Sequence, residues 1–408
     1  MLFKKVMKKE YEDTLLILRS YKSNSNIDFS KCDVNQVLKI AAEHSVIGIV
    51  ASILLKNNIG STEFRKKCES FQWSVFQRHF QQEEDFKTLS TLFDQEGIDY
   101  IPFKGICICN TYPIPELRQM GDIDIIIREK DLDRVRNVLK QNNCWHLHES
   151  DKVDSLQTEY SEFEIHRFLF PLLESHLPLS GRDFLSENIW IKAKGKKGSF
   201  QYHFSIDDEF IYMILHIASH FYYQSCGIRF FLDLDAYIRC YGKEMNWTYI
   251  HDECVRASYE ELLYSCLYIS HKWFNTELPW NVPKLSTSQM HILEEFIWQN
   301  GTFGHGVKNE PYSMIYRIKK VKFASNSNNI NINLIRNLFL PDKSWCKKFY
   351  PGLVGKPYSY PFVIVMRFIK TLKKYGLKSL ADYMSNMRHD IYRGNKFINV
   401  LQEIGIHL

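Results

Sequence analysis

No stretch of this 408-residue chain is apolar for long enough to cross a bilayer, which takes about 20 residues in a helix. Val46 to Leu55, interrupted by Ser52, and Phe362 to Met366 both fall far short. A leader pattern is missing too. Lys4, Lys5, Lys8 and Lys9 are followed by Glu10, Glu12 and Asp13 instead of an apolar run, so no secretory signal is expected. Neither sign of charge dominates: 52 Lys and Arg against 47 Asp and Glu leave a formal +5, which neither demands nor excludes a nucleic-acid partner. The ten cysteines show no paired spacing, and reduced thiols in a soluble, cytoplasmic protein are expected in place of a disulfide framework. Cys107 and Cys109 form a C-x-C with no second Cys or His pair nearby to complete a zinc site. His216 and His220 stand four apart on an expected helix, but a zinc-protease motif needs Glu at 217, where this chain has Ile217. There is no repeat of fixed period.

What is present is an ordinary globular composition, 45% hydrophobic and 24% charged, long enough for two to three domains. Residues 1–96 read as helical. Asp33 is the expected N-cap of an apolar-periodic stretch reaching Leu55. Ser61 opens a long helix bearing Phe64, Cys68, Phe71, Val75 and Phe76, with Gly97 at its end. The period then changes. Strands are expected at Ile98 to Phe103, Ile123 to Ile127, Cys144 to Glu149 and Tyr160 to Phe168, with an edge strand at Gln201 to Phe204 and a helix at Asp131 to Gln141. Ser205 and Asp208 suggest a capping box, and helices return at Arg229 to Tyr241, Tyr259 to Phe274 and Thr287 to Gln299. Ser325 to Asn333 is Asn-rich and reads as an exposed loop, before a last helix over Pro361 to Tyr375. The expected fold is therefore α+β: a small mixed sheet (97–205) between an N-terminal helical region (1–96) and helical segments (206–300, 301–408).

The chemistry concentrates near the second strand. In Gly121-Asp122-Ile123-Asp124, strand alternation turns both carboxylates to one face and Ile123, Ile125 and Ile127 into the core. Asp is depleted in strands, and adjacent carboxylates repel unless cations sit between them, which is the environment Mg²⁺ favours. A solvated acidic face is the bland alternative. Gly105, after a strand and opening a helix, lets a phosphate approach backbone N–H groups, against the plain reading of a turn glycine. Lys104 and Arg118 are phosphate-neutralising candidates, Arg118 bidentately, or else surface cations. Glu162-Phe163-Glu164-Ile165-His166 puts Glu164 and His166 on one strand face. Beside the Asp122 strand, Glu164 would complete a three-carboxylate set able to hold two ions and to take a proton from an attacking hydroxyl.

Lys104-Gly105, Tyr112-Pro113, Arg118, Asp122-Ile123-Asp124 and Glu164-Ile165-His166 resemble the DNA polymerase beta-type nucleotidyltransferase superfamily. More closely, they resemble a bacterial nucleotidyltransferase family met in biosynthetic gene clusters. Ala42-Glu43-His44-Ser45-Val46 is similar to that family's N-terminal signature, and His216, His220, Arg229 and Asp233 to its helical signature after the core. The superfamily's common glycine–serine pair is here Lys104-Gly105, and the gap from Gly105 to Asp122 is long. The resemblance implies transfer of a nucleoside monophosphate from an NTP, ATP first, to a hydroxyl, with pyrophosphate released. Asp122, Asp124 and Glu164 would hold two Mg²⁺ ions, with Mn²⁺ as a substitute. Lys104, Gly105, Arg118, His166, Arg229 and Asp233 would surround the nucleotide. The expected acceptor is a small molecule, with a protein or a tRNA end as alternatives.

Two other readings use the same residues: a kinase-like phosphoryl transfer, and a scaffold that keeps the fold without catalysis. Separately, Arg367, Lys370, Lys374 and Lys378 line one face of the last expected helix, either a wet face or a surface for an acidic partner.

Overall fold

The computed structural model describes residues 8–21, 29–141, 145–150, 153–169, 189–190, 193–223, 226–302, 365 and 399–406. The described elements belong to one compact unit, Met1–Lys308 with Leu401–His407. The Asn-rich segment and, apart from Val365, the expected basic helix over Pro361 to Tyr375 lie outside the described residues.

Among the described residues four helices come first: α1 (Lys9–Ser20), α2 (Val34–Glu43), α3 (Ile47–Lys56) and α4 (Thr62–Glu96). The caps read from sequence are in place. The Asp33 carboxylate accepts from the Gln36 N–H, the Ser61 hydroxyl accepts from the Phe64 N–H, and Gly97 ends α4 at φ +63°, where a side chain would be strained. One expectation is corrected. The stretch from Asp33 to Leu55 is not a single helix but breaks at His44 and Ser45, with Ser45 at φ +56°. Tertiary contacts override the local pattern, because the buried His44 ring is claimed by distant backbone. Its Nδ1 accepts from the Ile228 N–H at 3.1 Å and its Nε2 lies 3.4 Å from the Trp298 carbonyl.

The sheet follows, with β1 (Tyr100–Phe103), the short helix α5 (Gly105–Ile108), β2 (Ile123–Ile127), α6 (Leu132–Gln141), β3 (His146–His148), β4 (Val153–Gln157) and β5 (Glu162–His166). Strand order is β1-β2-β5-β4-β3, with β2 and β5 parallel and the other pairs antiparallel. The sheet is therefore mixed, as expected. β4 went unread in the sequence. Its second residue is the buried Asp154, which pairs with Arg136, and a buried charge hides the apolar alternation. The expected edge strand is β7 (Tyr202–His203). It pairs with β6 (Lys194–Gly195) in a separate two-stranded sheet, and Gln201 bridges to Tyr100.

Ile123, Ile125 and Ile127 are fully buried among Leu89, Phe93, Val135, Leu139, Phe163 and Ile165. Burying each isoleucine contributes about 1.5–3 kcal/mol, so β2 cannot slip without exposing this row. That register fixes Asp124 opposite Phe103 on one side and Glu164 on the other. Helices then return: α7 (Ile206–Tyr223), α8 (Ile228–Tyr241), α9 (Trp247–Arg256), α10 (Glu260–Phe274) and α11 (Thr287–Asn300). Ser205 caps α7 by accepting from the Asp208 N–H, and its hydroxyl donates to the Asp208 carboxylate, in place of the reciprocal capping box. No described helix is long and apolar enough to cross a membrane.

Candidate active site

One cleft with about 280 Å³ of open space is lined by all nine residues singled out from the sequence: Lys104, Gly105, Arg118, Asp122, Asp124, Glu164, His166, Arg229 and Asp233. They arrive from four places: the β1–α5 junction, β2 with the segment leading into it, β5, and α8. The parallel pairing of β2 and β5 sets Asp124 beside Glu164, and strand alternation brings His166 to the same face.

Asp124 is the hub. Its carboxylate is almost wholly buried, and its Oδ1 accepts from Lys104 Nζ at 2.5 Å and from His166 Nε2 at 2.8 Å. Glu164 Oε2 lies 3.2 Å from His166 Nε2 and 3.9 Å from Lys104 Nζ. Burial would raise the pKa of Asp124, but the Lys104 charge and the His166 hydrogen bond overcome it and hold the carboxyl down to about 2. At Asp122 the Lys104 charge pulls the same way but is outweighed. Burial, then the charge of Asp124, pushes its pKa up to about 6. Burial opposes the charge on Lys104, yet Asp124 foremost raises its pKa and keeps it a cation. Burial disfavours the His166 imidazolium, while hydrogen bonds to Asp124 and Glu164 raise its pKa overall.

Donor atoms of Asp124, Glu164 and His166 lie within 4.8 Å of one another, close enough to share an ion. Two carboxylates and an imidazole are a chemically fitting donor set for a divalent metal. Asp122 shares the cleft but stands outside that group, which His166 completes. His166 Nδ1 is buried without a hydrogen-bond partner, whereas a metal-bound imidazole normally donates from its second nitrogen. With Nε2–H donating to Asp124, His166 orients the carboxylates.

Arg118 differs from expectation. Its Nε and Nη2 donate to Asp233 Oδ1 and Oδ2 at 3.1 and 2.8 Å, and Tyr112 Oη donates to Asp233 Oδ1 at 2.6 Å. The forked face expected to grip phosphate bidentately is therefore engaged by a carboxylate. Asp233 pairs with Arg118 across the cleft, whereas Arg229, one turn away on α8, donates from Nη1 to the Gln119 carbonyl. Burial, then repulsion by Arg118, lowers the Arg229 pKa to about 10. Gly105 opens α5 as expected, and its smallness has a second cause: a Cβ there would stand 2.8 Å from Arg118 Nη1.

One wall of the cleft holds His216 and His220, which the sequence placed on one helix, and adds Tyr212, which it did not single out. Tyr212 stacks on His216, with centroids 5.6 Å apart, and His216 Nε2 meets His220 Nε2 at 3.1 Å. Burial, with His220 beside it, drives the His216 pKa far down, so that ring is neutral. The four-residue spacing of Tyr212, His216 and His220 on α7 was the available signal. Cys107 and Cys109 donate to the Pro102 and Ile106 carbonyls and take no part in the metal group.

A family model described as an uncharacterised nucleotidyltransferase matches residues 30–275, a span that holds the whole cleft. No curated protein and no solved structure matches the chain.

Proposed function

The chain belongs to this uncharacterised nucleotidyltransferase family, and on that premise we propose that it moves a nucleoside monophosphate from an NTP, ATP first, to a hydroxyl, releasing pyrophosphate. The observation that carries the reading is the meeting of Asp124, Glu164 and His166 at one point in a cleft that also holds Asp122 and three cations. Asp122, Asp124 and Glu164 would hold two Mg²⁺ ions, or Mn²⁺ in their place. Bound there, the ions supply charge neutralisation at the phosphates and acidify the attacking hydroxyl.

The chain's own groups do the rest. Glu164 is partly exposed at the cleft and takes the proton of the acceptor hydroxyl. The acceptor oxygen forms a bond to the α-phosphorus as the bond from that phosphorus to the bridging oxygen of pyrophosphate breaks. His166 holds the Asp124 and Glu164 carboxylates in place. Lys104 and Arg229 offset phosphate charge, while the Gly105 backbone admits close approach. Arg118 and Asp233 brace the wall, leaving Arg118 Nη1 for the ligand.

A small-molecule hydroxyl is the proposed acceptor, with a protein side chain or tRNA end as the outcomes that would replace it. The free thiols at the described cysteines fit a cytoplasmic setting. The test is incubation with each NTP, Mg²⁺ and a fractionated lysate. A product heavier by one nucleoside monophosphate supports the proposal. A product heavier by one phosphoryl group replaces it with kinase-like transfer.

A further inference from the structure

Lys104 occupies an unusual place. β1 pairing sets Phe103 opposite Asp124, so the next residue is delivered directly to the acidic centre. Its backbone sits at φ +59°, ψ −129°, a conformation L-residues rarely adopt. That geometry is held by the N–H groups of Cys107 and Ile108, both donating to the Lys104 carbonyl. The ammonium rests 5.4 Å from the centre of the Phe103 ring, with Asp124 Oδ1 at 2.5 Å and Glu164 Oε2 at 3.9 Å. It therefore touches two of the three residues whose donor atoms can share a metal, and it offsets part of their negative charge.

Building on the metal-dependent reading above, we infer that Lys104 is a built-in counter-ion that competes with the divalent metal for Asp124 and Glu164 and turns to the triphosphate when metal enters. A dication and an ammonium cannot both stay within hydrogen-bonding reach of the same oxygen without strong like-charge repulsion. The lysine has somewhere to go, because its four-carbon stem is flexible and the cleft continues to Gly105 and Arg229. The consequence is ordered loading. Metal binds weakly alone and well together with a nucleotide, whose phosphates take over the displaced ammonium. Free divalent ions then do not lock the site ahead of substrate.

The test uses the full chain and Mn²⁺ as the probe, measured by titration calorimetry with and without ATP. Lys104→Met, which keeps the stem and removes the charge, is expected to bind Mn²⁺ alone about ten-fold more tightly than the wild type. The same variant should raise the KM for ATP at least ten-fold, an opposite sign that a merely structural lysine would not give. Lys104→Arg should stay within about three-fold of wild type in Mn²⁺ affinity. Unchanged or weaker Mn²⁺ binding by Lys104→Met overturns the inference.

A second measurement needs no variant: reductive methylation of Lys104, read by mass spectrometry. Labelling should be low in chelator and rise several-fold once Mg²⁺ is raised high enough to saturate the site without nucleotide. Equal labelling in both overturns the inference. If Mn²⁺ fails to bind the wild type and every variant, the metal-dependent reading itself fails. If Mn²⁺ binding needs Asp124 but ignores Lys104, only the counter-ion role fails.

Discussion

Arg118 and Asp233 are 115 residues apart in sequence and meet as a two-pronged pair, 3.1 and 2.8 Å, nearly sealed from solvent. The pair fastens the segment that leads into β2 to α8, and so fixes the two walls of the cleft relative to each other. Removing one partner strands a buried charge. Asp233→Asn should lower unfolding stability by about 3–5 kcal/mol, measured by urea denaturation. The double variant Arg118→Met, Asp233→Leu should recover most of that stability.

Gly105 sits against the locked guanidinium. Since Asp233 holds Arg118, the Nη1 atom 2.8 Å from a new Cβ cannot step aside cheaply, and Met120 Cγ stands at 3.3 Å. Gly105→Ala should cost about 1–3 kcal/mol by thermal unfolding and slow nucleotidyl transfer at least ten-fold. A variant as stable and active as the wild type would remove Gly105 from the site.

His44 predicts a pH response. Burial lowers its pKa from 6.5 to about 4, outweighing the Trp298 carbonyl. The folded chain holds a neutral ring because Nδ1 must accept from the Ile228 N–H at the start of α8. The unfolded chain takes up a proton near pH 6.5. The stabilisation is thus complete above pH 6.5, shrinks as pH falls, and is gone near pH 4, a loss of about 3 kcal/mol. Melting temperatures from pH 7 to 4 should fall less steeply in His44→Gln than in the wild type.

Much of this arrangement was legible in the sequence, and the failures have a common cause. Caps at Asp33, Ser61 and Gly97 and the isoleucine row of β2 are local signals, and the structure has them. Asp124 beside Glu164 followed from strand alternation plus one pairing assumption. The break at Ser45, the buried Asp154 in β4 and the Arg118–Asp233 pair each depend on partners far along the chain. Local periodicity carries no trace of them. Tyr112 shows the same limit: it stood in the motif, but nothing nearby announced that its hydroxyl would bind Asp233.

Glu164 tests the proton transfer. Glu164→Gln keeps the shape and removes the basic oxygen, so kcat should fall about 10²- to 10⁴-fold. Thermal unfolding should change little, since this side chain is partly exposed.

The most direct measurement follows α-labelled and γ-labelled ATP through the reaction, in the wild type and in Asp124→Asn. The account predicts that only the α-label reaches the acceptor, the γ-label leaves in pyrophosphate, and Asp124→Asn lowers α-label transfer at least a thousand-fold. Transfer of the γ-label, or undiminished α-label transfer by Asp124→Asn, would contradict it.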